Sequence, residues 1–216
     1  MNVKFKIEKE DIKWIIDNEA FYYNENDSKN EKDKELITFS DYQYNDDEYE
    51  WFINKKHKIS TKSNKYVKAL NYRLGYIKTR YYDIQLDSPK SDLIDQNKFL
   101  EWWKIQPRSK DKTLKCYYCG CSETDYHNML IKTKNFNDGC FGGRLYMSKK
   151  RNWKFSNLEI EEKIPADSSK TKNHSFTNCV FSCHICNNAE SDLIHADDFL
   201  KYFGKAINDY IKDMGK

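Results

Sequence analysis

The sequence predicts an α+β protein in two parts. A mixed, mainly helical region spans residues 1–110, and a domain over 111–216 combines short strands and helices around a four-cysteine zinc site. Three observations predict this. Helical periods of apolar residues open and close the chain; two C-x-x-C pairs sit in the second half, 63 residues apart; and short strand patterns, "LEIEEKI" and "CVFSC", lie near them.

Composition sets the bounds. Charged residues make up 33% of the 216 and hydrophobic ones 38%, so the core is modest and aromatics must carry much of it. With 16 Tyr, 12 Phe and 5 Trp, the chain is too aromatic to be disordered. No apolar run approaches the ~18 residues of a membrane span. The opening "MNVKFKIEKEDIKW" has no apolar h-region, so no signal peptide is expected and the expected location is cytoplasmic.

Taken in order, "KEDIKWIIDNEAF" predicts a first helix with Ile12, Ile15 and Ile16 on one face, and "NENDSKNEKDKE" predicts a loop. "ITFSDYQYNDDEYEWF" has no clear period. "SDLIDQNKFLEWWKIQP" predicts a helix with a Ser or Asp cap and a stop before Pro107. "RSKDKTLK" looks like a linker, which places a boundary near residue 110. A loop containing "DGCFGG", the "LEIEEKI" strand, "CVFSC" and a helix from about Asn187 follow. "HADDFLKYFGKAINDYIKDMG" predicts a final amphipathic helix capped by Asp197 or Asp198.

Four of the seven cysteines form the two hooks, Cys116 with Cys119 and Cys183 with Cys186. In a reducing compartment that spacing favours metal over disulfides. Two hooks supply four thiolates at tetrahedral spacing, as a closed structural zinc site requires. Scattered buried cysteines are the plain alternative, and two pairs of identical spacing argue against it. Cys121, Cys140 and Cys179 are spare; Cys121 in place of Cys119, or a nitrogen from His184, leaves the ligand set open.

In this order, "CYYC", "LEIEEKIP", "TNCVFSC" and "CNNAESD" resemble the HNH nucleases that carry a zinc knuckle, including phage resolvases of the endonuclease VII type. The resemblance covers roughly residues 114–195 and implies a ββα-metal fold that hydrolyses phosphodiester bonds with Mg2+ or Mn2+. Residue by residue, it places Glu161 on the metal-binding Asp, Asn187 on the second metal ligand, Glu190 on an acidic residue near the metal and Asn178 on the loop-bracing Asn. Glu162 stands where the family has its catalytic histidine.

The chemistry can be checked on the residues themselves. Glu161, Asn187 and Glu190 offer oxygen donors that suit a hard cation, and Asn187 and Glu190 share a helix face. A carboxylate is a poor base at neutral pH, whereas histidine titrates there. Three readings of Glu162 therefore stand open. It is an unusual base; or a histidine elsewhere is the base, His174 first, then His127 and His184; or catalysis is lost and nucleic-acid binding kept.

Charge is segregated. Residues 1–50 hold seven Lys/Arg against fifteen Asp/Glu, while residues 51–80 hold nine Lys/Arg and no acid. Lys55, Lys56, Lys58, Lys62, Lys65, Arg73, Lys78 and Arg80 in this run, and Arg144, Lys149, Lys150 and Arg151 in a second acid-free run, are candidate phosphate contacts. Lys163 is a further one. A solvated charged face is the ordinary explanation of such runs.

The expectation is a metal-dependent endonuclease acting on double-stranded DNA in restriction, phage defence or a mobile element. The alternative is a zinc-stapled module that binds DNA or RNA without cutting. No membrane partner is expected. A homodimer would suit a duplex cutter, because one hydrolytic site cuts one strand at a time.

Overall fold

The computed structural model describes residues 5–24, 34–39, 65–87, 92–133, 158–163, 175–190 and 194–216. They fall into two compact units: the main passage from the first to the second lies between Ile105 and Gln106, while Lys34 belongs to the second and residues 175–177 to the first. The architecture is mixed α and β, with two two-stranded sheets among the described residues. No helix among them is long and apolar enough to cross a membrane.

In the first unit, α1 (Lys9–Asn18) starts where the Glu8 N–H donates to the Asp11 carboxylate at 3.2 Å. Ile12, Ile15 and Ile16 are buried along its inner face, as the period predicts. The helix stops short of the expected Phe21, which instead opens β1 (Phe21–Tyr23). That strand pairs antiparallel with β2 (Glu35–Ile37), Phe21 opposite Ile37. The next element, α2 (Lys65–Asp87), runs through a basic, aromatic-rich tract for which no helix was expected. Its inner face is nonetheless regular, with Val67, Leu70, Ile77, Tyr81 and Ile84 all buried. A 3-10 turn (Asp92–Ile94) leads to α3 (Gln96–Ile105). Here the expected Asp cap is Asp95, which accepts from the Lys98 N–H at 3.0 Å. Phe99, Trp102 and Trp103 are buried, and the rings of Phe5, Tyr81 and Phe99 pack in a tilted row with neighbouring centroids 4.7 and 5.5 Å apart.

Arg73 requires a correction. Read as a phosphate contact, it is 1% exposed and paired through Nε with the fully buried Glu19 at 2.8 Å. Phe21, Tyr76 and Trp103 surround its guanidinium at 5.1–5.4 Å, and the Trp103 indole N–H donates to the other Glu19 oxygen. A buried charge is tolerable only when so paired, and this one is committed to the core.

The second unit begins with residues 108–115, which form a closed turn where a linker was expected. The Ser109 N–H donates to the Thr113 carbonyl at 2.9 Å, and Lys112 adopts a left-handed φ of 63°. The Asp111 carboxylate accepts from the hydroxyls of Ser109, Thr113 and Thr124. Burial raises its pKa, but these hydroxyls outweigh burial and hold it below the usual carboxylate range. After the first cysteine hook comes α4 (Glu123–Thr133), for which no helix was expected. Ser122 and Asp125 cap it reciprocally, each accepting from the other's N–H at 3.0 Å.

β3 (Glu159–Glu162) and β4 (Cys179–Ser182) form an antiparallel pair, and α5 (His184–Glu190) follows directly, three residues earlier than expected. The chain ends in α6 (Ala196–Phe199), five residues of π-helix (Leu200–Gly204) and α7 (Lys205–Met214), which packs on α4. The cap of α6 is His195, whose ring accepts from the Asp197 N–H at 3.4 Å. Asp197 and Asp198, the expected caps, sit inside the first turn instead, where they favour the positive end of the helix dipole.

Candidate metal centre and acidic strand face

The first cysteine hook is a tight knuckle. The Gly120 N–H closes on the Cys116 carbonyl at 2.9 Å, and Gly120 has a φ of +72°, which glycine adopts without steric cost. The Cys116 N–H bonds to the Cys121 carbonyl, and the Tyr117 N–H to the Phe181 carbonyl at 2.8 Å. Through the latter the knuckle lies against β4. The second hook straddles the end of β4 and the first turn of α5.

Together they bring the sulfurs of Cys116, Cys119, Cys183 and Cys186 within 4.8 Å of one another, all four residues buried. Tetrahedral zinc with Zn–S near 2.3 Å sets neighbouring sulfurs about 3.8 Å apart. Cys119 and Cys183 stand at 3.9 Å, and the Cys183 N–H donates to the Cys116 sulfur at 3.3 Å, the kind of bond that steadies a thiolate. The donor set fits a structural metal such as zinc. His184 and Cys121 are not among the four: Cys121 is fully buried beside them and lends its carbonyl to the knuckle. Cys179 is buried on β4, and Cys140 lies outside the described residues.

Beside the cysteines lies an acidic strand face. Side chains alternate along a strand, so Glu159 and Glu161 share one face of β3 while Ile160 and Glu162 take the other. The cross-strand partners of Glu159 and Glu161 on β4 are Ser182 and Val180. α5 contacts β3 and brings its first-turn side chains to Glu159. The Asn187 Nδ2 donates to Glu159 Oε2 at 3.2 Å, and the His184 Nδ1 stands 3.5 Å from the same oxygen. One helical turn on, the buried Glu190 acts on Glu161. Burial first, and the Glu190 charge second, push the Glu161 carboxyl up to about 8, and its Oε2 is buried without a hydrogen-bond partner. The Tyr118 hydroxyl, from the first hook, is buried beside Glu190. Burial raises its pKa, and the charges of Glu190 and Glu161 raise it further.

Glu161, Asn187 and Glu190 are brought to one region, between β3 and α5. Glu162 projects from the opposite strand face, so its adjacency to Glu161 in sequence does not make the two a pair in space. Asn178 contributes its carbonyl, which accepts from the Lys163 N–H at 2.8 Å and closes the open end of the β3–β4 pair. The Lys163 ammonium rests 5.6 Å from the Tyr117 ring centre. His174 lies outside the described residues.

The other two histidines are poorly placed to serve as bases. His127 is 1% exposed, and burial together with the Lys34 charge lowers its pKa to about 4. His184 has Asn188 Nδ2 at 2.6 Å from its Nε2 while Nδ1 faces Glu159, so both ring nitrogens are engaged.

Among the basic candidates, Lys65 pairs with Glu35 at 2.8 Å and Arg80 with Asp83 at 3.5 Å, while Lys78 is exposed on α2 and lies over Tyr82. Lys55, Lys56, Lys58, Lys62, Arg144, Lys149, Lys150 and Arg151 lie outside the described residues. Glu159 was missing from the predicted set. The signal that finds it is the strand alternation itself, which pairs Glu161 with Glu159 rather than with Glu162.

No protein-family model, curated protein or solved structure matches this chain.

Proposed function

We propose that the chain is a metal-dependent endonuclease acting on double-stranded DNA, its second unit a zinc-stapled ββα-metal domain of the HNH kind. The observation that carries this reading is the Glu161 carboxyl, half-buried within the electrostatic reach of the buried Glu190, with one oxygen left without a hydrogen-bond partner. Such a group resists ionisation on its own, and a divalent cation would relieve the repulsion. The order of a knuckle, an antiparallel strand pair and a helix opening at the second hook supports it.

In this reading, Glu161 and the Asn187 Oδ1 hold a Mg2+ or Mn2+ ion, with Glu190 close by. The ion would supply a Lewis acid at the scissile phosphate and offset charge on the leaving oxygen. The zinc cysteines do no chemistry; they fix β4 and α5 so that these oxygens converge. The base is Glu162 or His174, and restriction, phage defence and mobile-element transfer are all compatible settings.

The second reading, a module that binds DNA or RNA without cutting it, is favoured by one residue: Glu162 stands where the resemblance places a histidine. Cleavage of a plasmid and phage DNA panel in Mg2+ and then Mn2+ separates the two. Wild-type cleavage that vanishes in Glu161→Ala, with zinc content unchanged, is the expected result. Loss of about a hundredfold or more in Glu162→Ala or in His174→Ala identifies the base. Salt-sensitive DNA binding with no cleavage on any substrate would select the binding module.

A further inference from the structure

Asn187 has an amide with two ends. Its Nδ2 donates to Glu159 Oε2, an oxygen that can only accept while the carboxylate is ionised. That bond fixes the amide rotamer and turns the acceptor, Oδ1, away from Glu159. His184 approaches the same oxygen, so Glu159 receives two groups from the first turn of α5. We infer that Glu159 is a positioning residue: it holds the Asn187 amide so that Oδ1 is presented to a divalent cation bound with Glu161. This rests on the ion site proposed above.

The alternatives for Glu159 differ in what they require. As an ion ligand it would need its negative charge at the cation, whereas as a positioning group it needs only an acceptor oxygen facing Asn187. As a purely structural tie between β3 and α5 it would affect zinc retention and unfolding, and leave ion affinity alone once the fold is intact. Outer-shell groups that orient a ligand commonly contribute 10- to 100-fold in metal affinity.

The test is Mn2+ affinity by electron paramagnetic resonance on the full-length, zinc-loaded protein, with the Asn187 side-chain amide followed by 15N NMR in the Mn2+-free state. Glu159→Ala is expected to weaken Mn2+ binding 10- to 100-fold and to move the Asn187 amide signals, with zinc retained. Glu159→Gln, which keeps an acceptor oxygen, is expected to stay within about threefold of wild type. In an Asn187→Ala background, adding Glu159→Ala should cost less than twofold more, because the group it positions is gone.

Wild-type affinity in Glu159→Ala overturns the inference, as does a loss in Glu159→Gln equal to that in Glu159→Ala. Losses that simply add in the double variant overturn it as well; should Glu159→Ala lose its zinc, zinc-loaded Glu159→Gln decides, and a loss there of about tenfold or more overturns the inference. Glu161→Gln separates this failure from failure of the ion site. If wild type binds no Mn2+, or Glu161→Gln binds it normally, the site falls and the inference with it. If only the Glu159 results fail, the site stands.

Discussion

At the scale of single residues, environment decides what a side chain can do. Arg73 and Lys78 belong to the same basic run, yet one is locked to Glu19 in the core and the other reaches solvent. Glu161 and Glu162 are chemically identical neighbours whose side chains leave opposite faces of a strand. The pKa of Glu161, raised to about 8 by burial and by Glu190, has a consequence for stability. Without a cation, the folded protein keeps a proton that the unfolded chain releases above its ordinary value of 4.5. Stability therefore falls as pH rises from about 4.5 through 8, because over that range the folded state binds more protons than the unfolded one. Glu161→Gln, neutral at every pH, is expected to be more stable than wild type at pH 8–9 by ~1–3 kcal/mol and indistinguishable near pH 4. Urea unfolding in magnesium-free buffer at several pH values checks this, and an unchanged slope in the variant would refute it. The resemblance nominated both Glu161 and Glu190, but the burial that raises the Glu161 pKa depends on how the elements around β3 pack.

At the scale of elements, local signals were sufficient in some places and hidden in others. The Ile12–Ile15–Ile16 stripe and the Asp95 cap are sequence-local, and both helices form, though α1 ends before the expected Phe21 and a 3-10 turn precedes α3. The Ser122–Asp125 capping pair was equally local and marks α4, but it sits directly behind the cysteine hook, whose spacing dominates the reading. In α2 the basic residues conceal a regular inner face. The π-helical turn in the last helix is a different case, since nothing local specifies it. It seats Gly204 against the first hook, where a Cβ would come within 2.3 Å of the Tyr118 carbonyl oxygen. Gly204 has ordinary helical dihedrals, so glycine is required here for close approach rather than for conformation. Gly204→Ala is expected to cost ~1–3 kcal/mol by overpacking and to weaken zinc retention, because the backbone it displaces is that of the knuckle. Thermal unfolding with a parallel zinc assay reads both, and a variant as stable as wild type would show that the knuckle can yield.

At the scale of the whole molecule, the second unit is assembled around contacts between distant parts of the chain. Its two hooks come from opposite ends of a long insertion, and the acidic face beside them is built from β3 and α5. A metal that joins such segments contributes its binding free energy to folding. Chelation of zinc, or Cys183→Ser, is therefore expected to unfold the second unit, with loss of its near-ultraviolet tyrosine signal. Cys121→Ala should retain one equivalent of zinc at a modest packing cost of ~1 kcal/mol. Zinc content by atomic absorption beside circular dichroism distinguishes these outcomes, and loss of zinc in Cys121→Ala would move that cysteine into the ligand set.

By itself the sequence determined that the chain is mixed α and β, that two C-x-x-C hooks supply four cysteines suited to one structural metal, and where several helices lie. These are matters of spacing and period, which survive without knowledge of the fold. Tertiary structure alone decided which charges are buried, that residues 108–115 are a closed turn, and that the first turn of α5 meets Glu159. It also showed which two histidines are poorly placed to act as bases. Burial and the meeting of side chains from different elements depend on how those elements pack, and packing is a property of residues far apart in the chain.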